Sequence, residues 1–335
     1  MINRKTVVVV GAGASSDLGL PLGAALKSEV ANLATRRDDG IWLHLNSAMF
    51  HYFEPNRDIG EKALLHFSDF GSQLRSAYSI DNFLDQRRDD HILLAVGKML
   101  IAYVIAGAEK NSGLAVEREF DVIENNQDYF LFDLMNIVSR GHQANNIHKS
   151  LQNLTFVTFN YDRCIERFLK IWLETNFGMK AGDVVPRDNI VHAYGSLGDY
   201  FDQSVHNPFE YRGRVAFQNV HLELRNYVDK IKIFTEQEDS SVFGVIHQKL
   251  TDCDTIVFLG FGFEEQNMRF FENVSGSKNV FATMYGQSKE NSNYLDGYLS
   301  QMFACKPGGY YSVDDKAAQM FRRCYHPITR AVGSL

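Results

Sequence analysis

The chain has 335 residues, of which 45% are hydrophobic and 22% charged, and its formal net charge is −7. Those proportions exclude a disordered chain, a collagen-like fibre and a coiled-coil rod. The length predicts two domains or one α/β domain with a large insertion, and the acidic balance argues against direct nucleic-acid binding through the surface as a whole.

Met1–Lys5 runs directly into Thr6–Val10, a β-branched run suited to a strand buried on both faces. A signal peptide would instead show a longer apolar stretch ending in a small-residue cleavage site. The turn Gly11–Gly19 follows, then Pro21 and an Ala/Leu-rich stretch to Leu33 with helical character. From about Arg36 to Gln152 the pattern is mainly helical, with one periodic stretch through Leu94, Val96, Met99, Leu100, Tyr103 and Val104 and another through Phe130, Leu131, Leu134, Ile137 and Val138. No strand is expected there, and the segment is read as a helical insertion.

The α/β pattern resumes at Leu154–Thr158, followed by an expected helix over Asp162–Leu173 with Ile165, Phe168, Leu169 and Trp172 on one face. Asn189–His192, Asp254–Leu259 and Asn279–Tyr285 are the remaining strand candidates, the last being the final clear one. Strands alternating with helices predict a Rossmann-like, mostly parallel sheet with a large helical insertion. The whole chain reads as a single domain, with its core over about 1–35 and 150–335 and its insertion over about 36–150.

No uninterrupted stretch of roughly 18 apolar residues occurs, so no transmembrane helix is expected. The four cysteines, Cys164, Cys253, Cys305 and Cys324, form no CxxC pair. They read as reduced thiols of a cytoplasmic protein, and no metal is expected.

Every candidate motif follows one of these strands, where parallel sheets bind ligands. Gly11-Ala12-Gly13-Ala14-Ser15 follows the first. Its glycines would let backbone amides approach a pyrophosphate at a helix start. Ser16 stands where the third glycine of GxGxxG would be, and no Gly-Lys-Ser/Thr of a P-loop is present. Thr158-Phe159-Asn160-Tyr161-Asp162-Arg163 follows the second strand, where Asn160 or Asp162 is equally suited to capping the next helix. Val191-His192-Ala193-Tyr194-Gly195-Ser196 follows the third; on a continuous strand His192 and Tyr194 would share a face. Phe258-Leu259-Gly260-Phe261-Gly262-Phe263 ends the fourth, with glycines that leave room for a flat or charged group. Ser79-Ile80-Asp81-Asn82-Phe83-Leu84, inside the insertion, reads as a helix start capped by Ser79 or Asp81.

In this order the segments resemble the sirtuin-like (silent information regulator type) NAD-consuming family. There a GAG(I/V)S…G(I/L)P segment is followed by TQN-x-D, a His-Gly pair and a GTS segment. The matching stretches are Gly11–Pro21, Thr158–Asp162, His192–Ser196 and Gly260–Gly262, and Ser79–Leu84 is similar to the Ser-Ile-Asp stretch of the bacterial branch. The chain departs from the deacetylases in lacking four zinc cysteines and in carrying Leu22-Gly23-Ala24 in place of Asp-Phe-Arg. Tyr194, not a histidine, directly precedes Gly195, with His192 two residues earlier.

These departures favour the resemblance to bacterial anti-phage defence proteins that hydrolyse NAD+. It implies cleavage of the nicotinamide–ribose bond, with NAD+ as substrate and no metal. Gly11, Ala12, Gly13, Ala14 and Ser15 would bind the pyrophosphate, and Gly260, Gly262 and Asn267 would line the adenosine side. Asn160 would position water or a ribose hydroxyl, Asp162 would hold the nicotinamide amide or ribose, and His192 would be the general base. The resemblance also implies a hexameric HerA-type ATPase as partner. The helical layer of about 40–150 is expected to make subunit contacts in a homo-oligomer and to cover part of the pocket, and the lack of a long apolar run predicts no membrane association. Two rival readings are a catalytically silent NAD or ADP-ribose sensor or oligomerisation module, and an NAD-dependent deacylase. A dehydrogenase is disfavoured by the missing third glycine and by the absence of an acidic residue ending a second strand about 20 residues on.

Overall fold

The structure, a computed structural model, describes residues 2–36, 40–54, 56–115, 119–141, 146–202, 224, 226–238 and 241–333. Its centre is a six-stranded, all-parallel sheet made of β1 (Thr6–Val10), β2 (Leu154–Thr158), β3 (Ile190–His192), β4 (Thr255–Leu259), β5 (Asn279–Thr283) and β6 (Tyr310–Val313). The strand order is β3-β2-β1-β4-β5-β6, the doubly wound order of Rossmann-like folds, and it reverses direction between β1 and β4. The expected fold class is therefore the observed one.

β1, β2 and β4 are buried along their whole length, which is why they read as unbroken apolar runs. Strand alternation sorts their side chains between two cores. Val7, Val9, Val157, Ile256 and Phe258 face one layer of helices, and Val8, Val10, Phe156, Val257 and Leu259 face the other. β6 was not among the expected strands. It is a short edge strand, half-buried at all four residues and preceded by Gly308-Gly309, so it carries no continuous apolar signal.

The helical reading of the insertion holds across its described residues, and the helices do not form one layer. Helix α1 (Gly23–Thr35) precedes it. Within the insertion, α2 (Gly40–Tyr52), α3 (Arg57–Arg75), α4 (Ile80–Asp85) and α5 (His91–Asn111) pack on the Val7/Val9 side. Then α6 (Phe130–Ser139) and α7 (Ile147–Gln152) pack on the Val8/Val10 side. The insertion thus wraps around the sheet, so its apolar faces are largely used within the chain.

By length and composition, α5 could cross a membrane: it has 21 residues, and two thirds of its most apolar window is buried inside the protein. It also carries Lys98 and Glu109, both buried and both paired, as a core helix can.

After β2, the chain enters α8 (Cys164–Phe177), two residues later than the sequence suggested. The delay has a local cause: Asp162 lies ahead of the helix, and its Oδ1 accepts the Cys164 amide at 3.1 Å.

Candidate functional site

The carboxyl ends of β1, β2, β3 and β4 bring the four post-strand motifs to one edge of the sheet, beside the point where strand order reverses. The β1 and β4 turns meet backbone to backbone. The Gly13 amide donates to the Gly260 carbonyl at 3.0 Å, the Gly11 amide to Leu259 at 3.0 Å, and the Gly260 amide to Thr283 Oγ1 at 2.8 Å. Gly260 has φ +55°, and a Cβ there would stand 2.1 Å from the Ala14 nitrogen. A Cβ on Gly11 would stand 2.5 Å from the Gly260 oxygen. These glycines are thus required by each other.

The amides of Gly11, Gly13 and Ala14 were expected to face a pyrophosphate. All three already donate within the protein, the Ala14 amide to Gly11 at 3.0 Å. What this turn presents to a ligand is accordingly smaller than its glycine content suggested. Gly13 and Gly260 are half-buried, and Gly262 is exposed.

The β2 turn works through side chains. Asn160 Nδ2 donates to the Gly11 carbonyl at 3.2 Å and to Ser15 Oγ at 3.1 Å, and the Ser15 hydroxyl donates to Asp162 Oδ1 at 3.4 Å. A carbonyl can only accept, so the Gly11 contact fixes which end of the Asn160 amide is nitrogen. Its Oδ1 is left as an acceptor. Ser15, Asn160 and Asp162 are 1%, 8% and 6% exposed, so only a narrow approach to them remains. Burial pushes the Asp162 carboxyl above its ordinary value, a shift opposed by its hydrogen bonds to Cys164 and by the charge of His192.

His192 ends β3. Its Nδ1 lies 3.0 Å from the Asn160 carbonyl and its Nε2 lies 2.8 Å from Glu166 Oε1. The carbonyl requires a proton on Nδ1, and the carboxylate occupies Nε2, so neither ring nitrogen is left for a ligand. Burial disfavours the imidazolium, but Glu166 and the Asn160 carbonyl outweigh burial and raise the His192 pKa above its usual value. An imidazole in this arrangement is not poised as a base.

Tyr194 does not share the His192 face. The strand stops at His192, and the chain turns through Gly195 at φ +71°. His192 points to the Glu166 side, whereas Tyr194 packs with Phe159 and Phe270 in the opposite core and donates its hydroxyl to Asn267 Oδ1. Alternation between residues two apart applies only while the strand continues. Asn267, expected on the adenosine side, is therefore engaged by Tyr194.

The insertion reaches the same edge. Tyr161 donates to Asp81 Oδ1 at 3.1 Å, and Tyr78 to Glu264 at 3.5 Å. Ser79 caps α4 by accepting the Asn82 amide at 3.0 Å, the ordinary role anticipated for it. Burial raises the Asp81 carboxyl pKa, and its bond from Tyr161 works in the other direction.

Two pairings went unmarked in the sequence. Glu166 has no local feature that pairs it with a histidine 26 residues on. Arg163 and Glu109 form an ion pair with side chains 1% and 0% exposed, joining the β2 turn to α5 through contacts of 2.7 and 3.2 Å and a bond from the Arg163 amide at 2.8 Å.

Surface clefts of about 590 and 310 Å³ lie around Gln86–Ile92 and between Asp133 and Tyr325, and none of the site residues lines either one. Among the described residues, no group of three or more His, Cys, Asp or Glu side chains is placed to hold a metal ion. No family model, curated protein or solved structure matches the chain.

Proposed function

We propose that the chain is an NAD+ hydrolase that cleaves the nicotinamide–ribose bond with water, releasing nicotinamide and leaving ADP-ribose. The observation that carries this reading is the convergence of the Gly11–Ser15 turn, Asn160, Asp162, His192 and the Gly260–Asn267 turn beside the switch point of a doubly wound parallel sheet. The carboxyl edge beside the switch point is where such sheets bind nucleotides. The transition state of this cleavage resembles an oxocarbenium ion, so the site must supply shape and a few oriented polar groups.

Asn160 is the best-oriented of these groups. Its amide nitrogen is tied to Gly11 and Ser15, which leaves Oδ1 to accept from a ribose hydroxyl or the attacking water. Asp162 holds Ser15, and His192 holds the Asn160 main chain. The role in anti-phage defence and the hexameric HerA-type ATPase partner are carried by the family resemblance, the cytoplasmic setting by the reading of the cysteines as reduced thiols, and the homo-oligomer by the long helical insertion.

The test is release of nicotinamide from NAD+ by the full chain, followed by chromatography. Release by the wild type is expected, with a fall of about 10²-fold or more in Asn160→Ala. A wild-type chain that releases none overturns the reading. One observation favours a second reading, a binding module without turnover: both nitrogens of His192 are engaged inside the protein. Calorimetric binding of NAD+ or ADP-ribose by a chain that releases no nicotinamide would select it.

A further inference from the structure

Glu166 has no part in the ligand contacts described above, yet it completes the site. It lies in the first turn of α8 and is 6% exposed, with Oε1 on His192 Nε2 and Oε2 buried without a hydrogen-bond partner. A buried carboxylate oxygen left unsatisfied is costly, and an opposite charge at hydrogen-bond distance is what offsets it. His192 supplies that charge to the carboxylate through Oε1, while Oε2 stays without a hydrogen bond.

Asn160, His192 and Glu166 form a chain of contacts across three elements. Asn160 leaves β2, His192 ends β3, and Glu166 begins α8. The ring of His192 spans from the Asn160 carbonyl to the Glu166 carboxylate. The Asn160 side chain is anchored separately, on Gly11 and Ser15. Main chain and side chain of Asn160 are thus held by different neighbours: its amide donates to Thr158 Oγ1 at 3.1 Å, and its carbonyl is the anchor that His192 meets.

We propose that Glu166 is a positioning residue, holding His192 as a charged strut that pins the Asn160 main chain and so sets where the Asn160 side-chain oxygen meets a ribose. The ribose part rests on the NAD+ hydrolase reading; the strut does not. The titratable and charged groups around it are Asp162 and Cys164 ahead of and at the start of α8, the Arg163–Glu109 pair between the β2 turn and α5, and the hydroxyl of Tyr129. Asp162 favours the imidazolium as Glu166 does.

The experiment compares the full chain with Glu166→Gln, which keeps shape but removes the charge, and with Glu166→Asp, which keeps the charge. Imidazole ¹⁵N spectra, with His192 assigned through His192→Gln, follow its titration. The side-chain NH₂ signals of Asn160 report its placement. In Glu166→Gln the His192 titration should move down by about one pH unit or more, and the Asn160 signals should shift. Glu166→Asp should keep His192 charged. For nicotinamide release, Glu166→Gln should lower kcat by about tenfold to a hundredfold with KM little changed, and Glu166→Asp should recover part of the loss.

A His192 titration identical in wild type and Glu166→Gln overturns the strut, and full kcat in a folded Glu166→Gln chain overturns the positioning of the ribose contact. If Glu166→Gln does not fold, the same spectra of Glu166→Asp decide: a His192 that titrates at its ordinary value there overturns the proposal. A wild type that releases no nicotinamide refutes the hydrolase reading and with it the ribose role, while the spectra still uphold or overturn the strut.

Discussion

The two halves of the sheet's carboxyl edge are built on opposite principles. Between β1 and β4 the contact is glycine backbone against glycine backbone, with no side chain in between and no room for one. Between β2 and β3 it is made by buried polar side chains, most of them ionisable: Asn160, Asp162, Glu166, His192 and the Arg163–Glu109 pair beneath them. The first half is set by shape and is indifferent to pH. The second is set by charge, and each member holds its neighbours only while its protonation state and partners persist. A site assembled from both has a rigid floor on one side and a charge-dependent wall on the other.

The largest effect should come from the charged half. Glu109→Ala removes the carboxylate that meets the buried Arg163 guanidinium, at a cost of about 3–5 kcal/mol. Urea unfolding monitored by circular dichroism would measure it, and a loss under about 1 kcal/mol would show that water reaches the pair.

On the glycine half, Gly260→Ala puts a Cβ against the Ala14 nitrogen at a backbone angle that L-residues disfavour. Overpacking and the left-handed strain together should cost about 2–4 kcal/mol. Gly262→Ala is the control, because its Cβ would meet nothing nearer than Glu264 Cγ at 3.8 Å. It should change stability by no more than about 0.5 kcal/mol. Equal effects at the two glycines would show that the close approach of the turns is not what Gly260 is for.

The smallest effect is the pH dependence. The folded-state pKa of His192 is raised, so its stabilising contribution is complete below the unfolded value of about 6.5 and is lost as pH rises through the folded value. The raised Asp162 carboxyl acts in the same direction at lower pH. Denaturant midpoints should therefore fall from pH 6 upward, and His192→Gln should flatten that fall. A wild type and variant with parallel profiles would remove His192 from the charged half.

Much of this arrangement was legible beforehand. Thr6–Val10, Leu154–Thr158 and the run ending at Leu259 are strands because strands buried on both faces must be apolar without interruption. Asn160 and Asp162 stood out because they follow such a strand and His192 because it ends a shorter one, and the structure joins all three through Ser15, the Asn160 carbonyl and the neighbouring helix. β6 stayed hidden because a half-buried edge strand carries too weak a pattern.

The sequence by itself determined the parallel sheet, the helical nature of the insertion and the placement of the motifs at strand ends, since these follow from local periodicity and turn chemistry. Only the tertiary structure decided what each motif touches. It turned the glycines of β1 and β4 toward one another, sent His192 and Tyr194 to opposite cores at Gly195, and set Glu166 against His192 and Glu109 against Arg163. Partners 26 and 54 residues apart leave no local pattern. A buried charge must find its counterpart in space, and the sequence between them records only that both are polar.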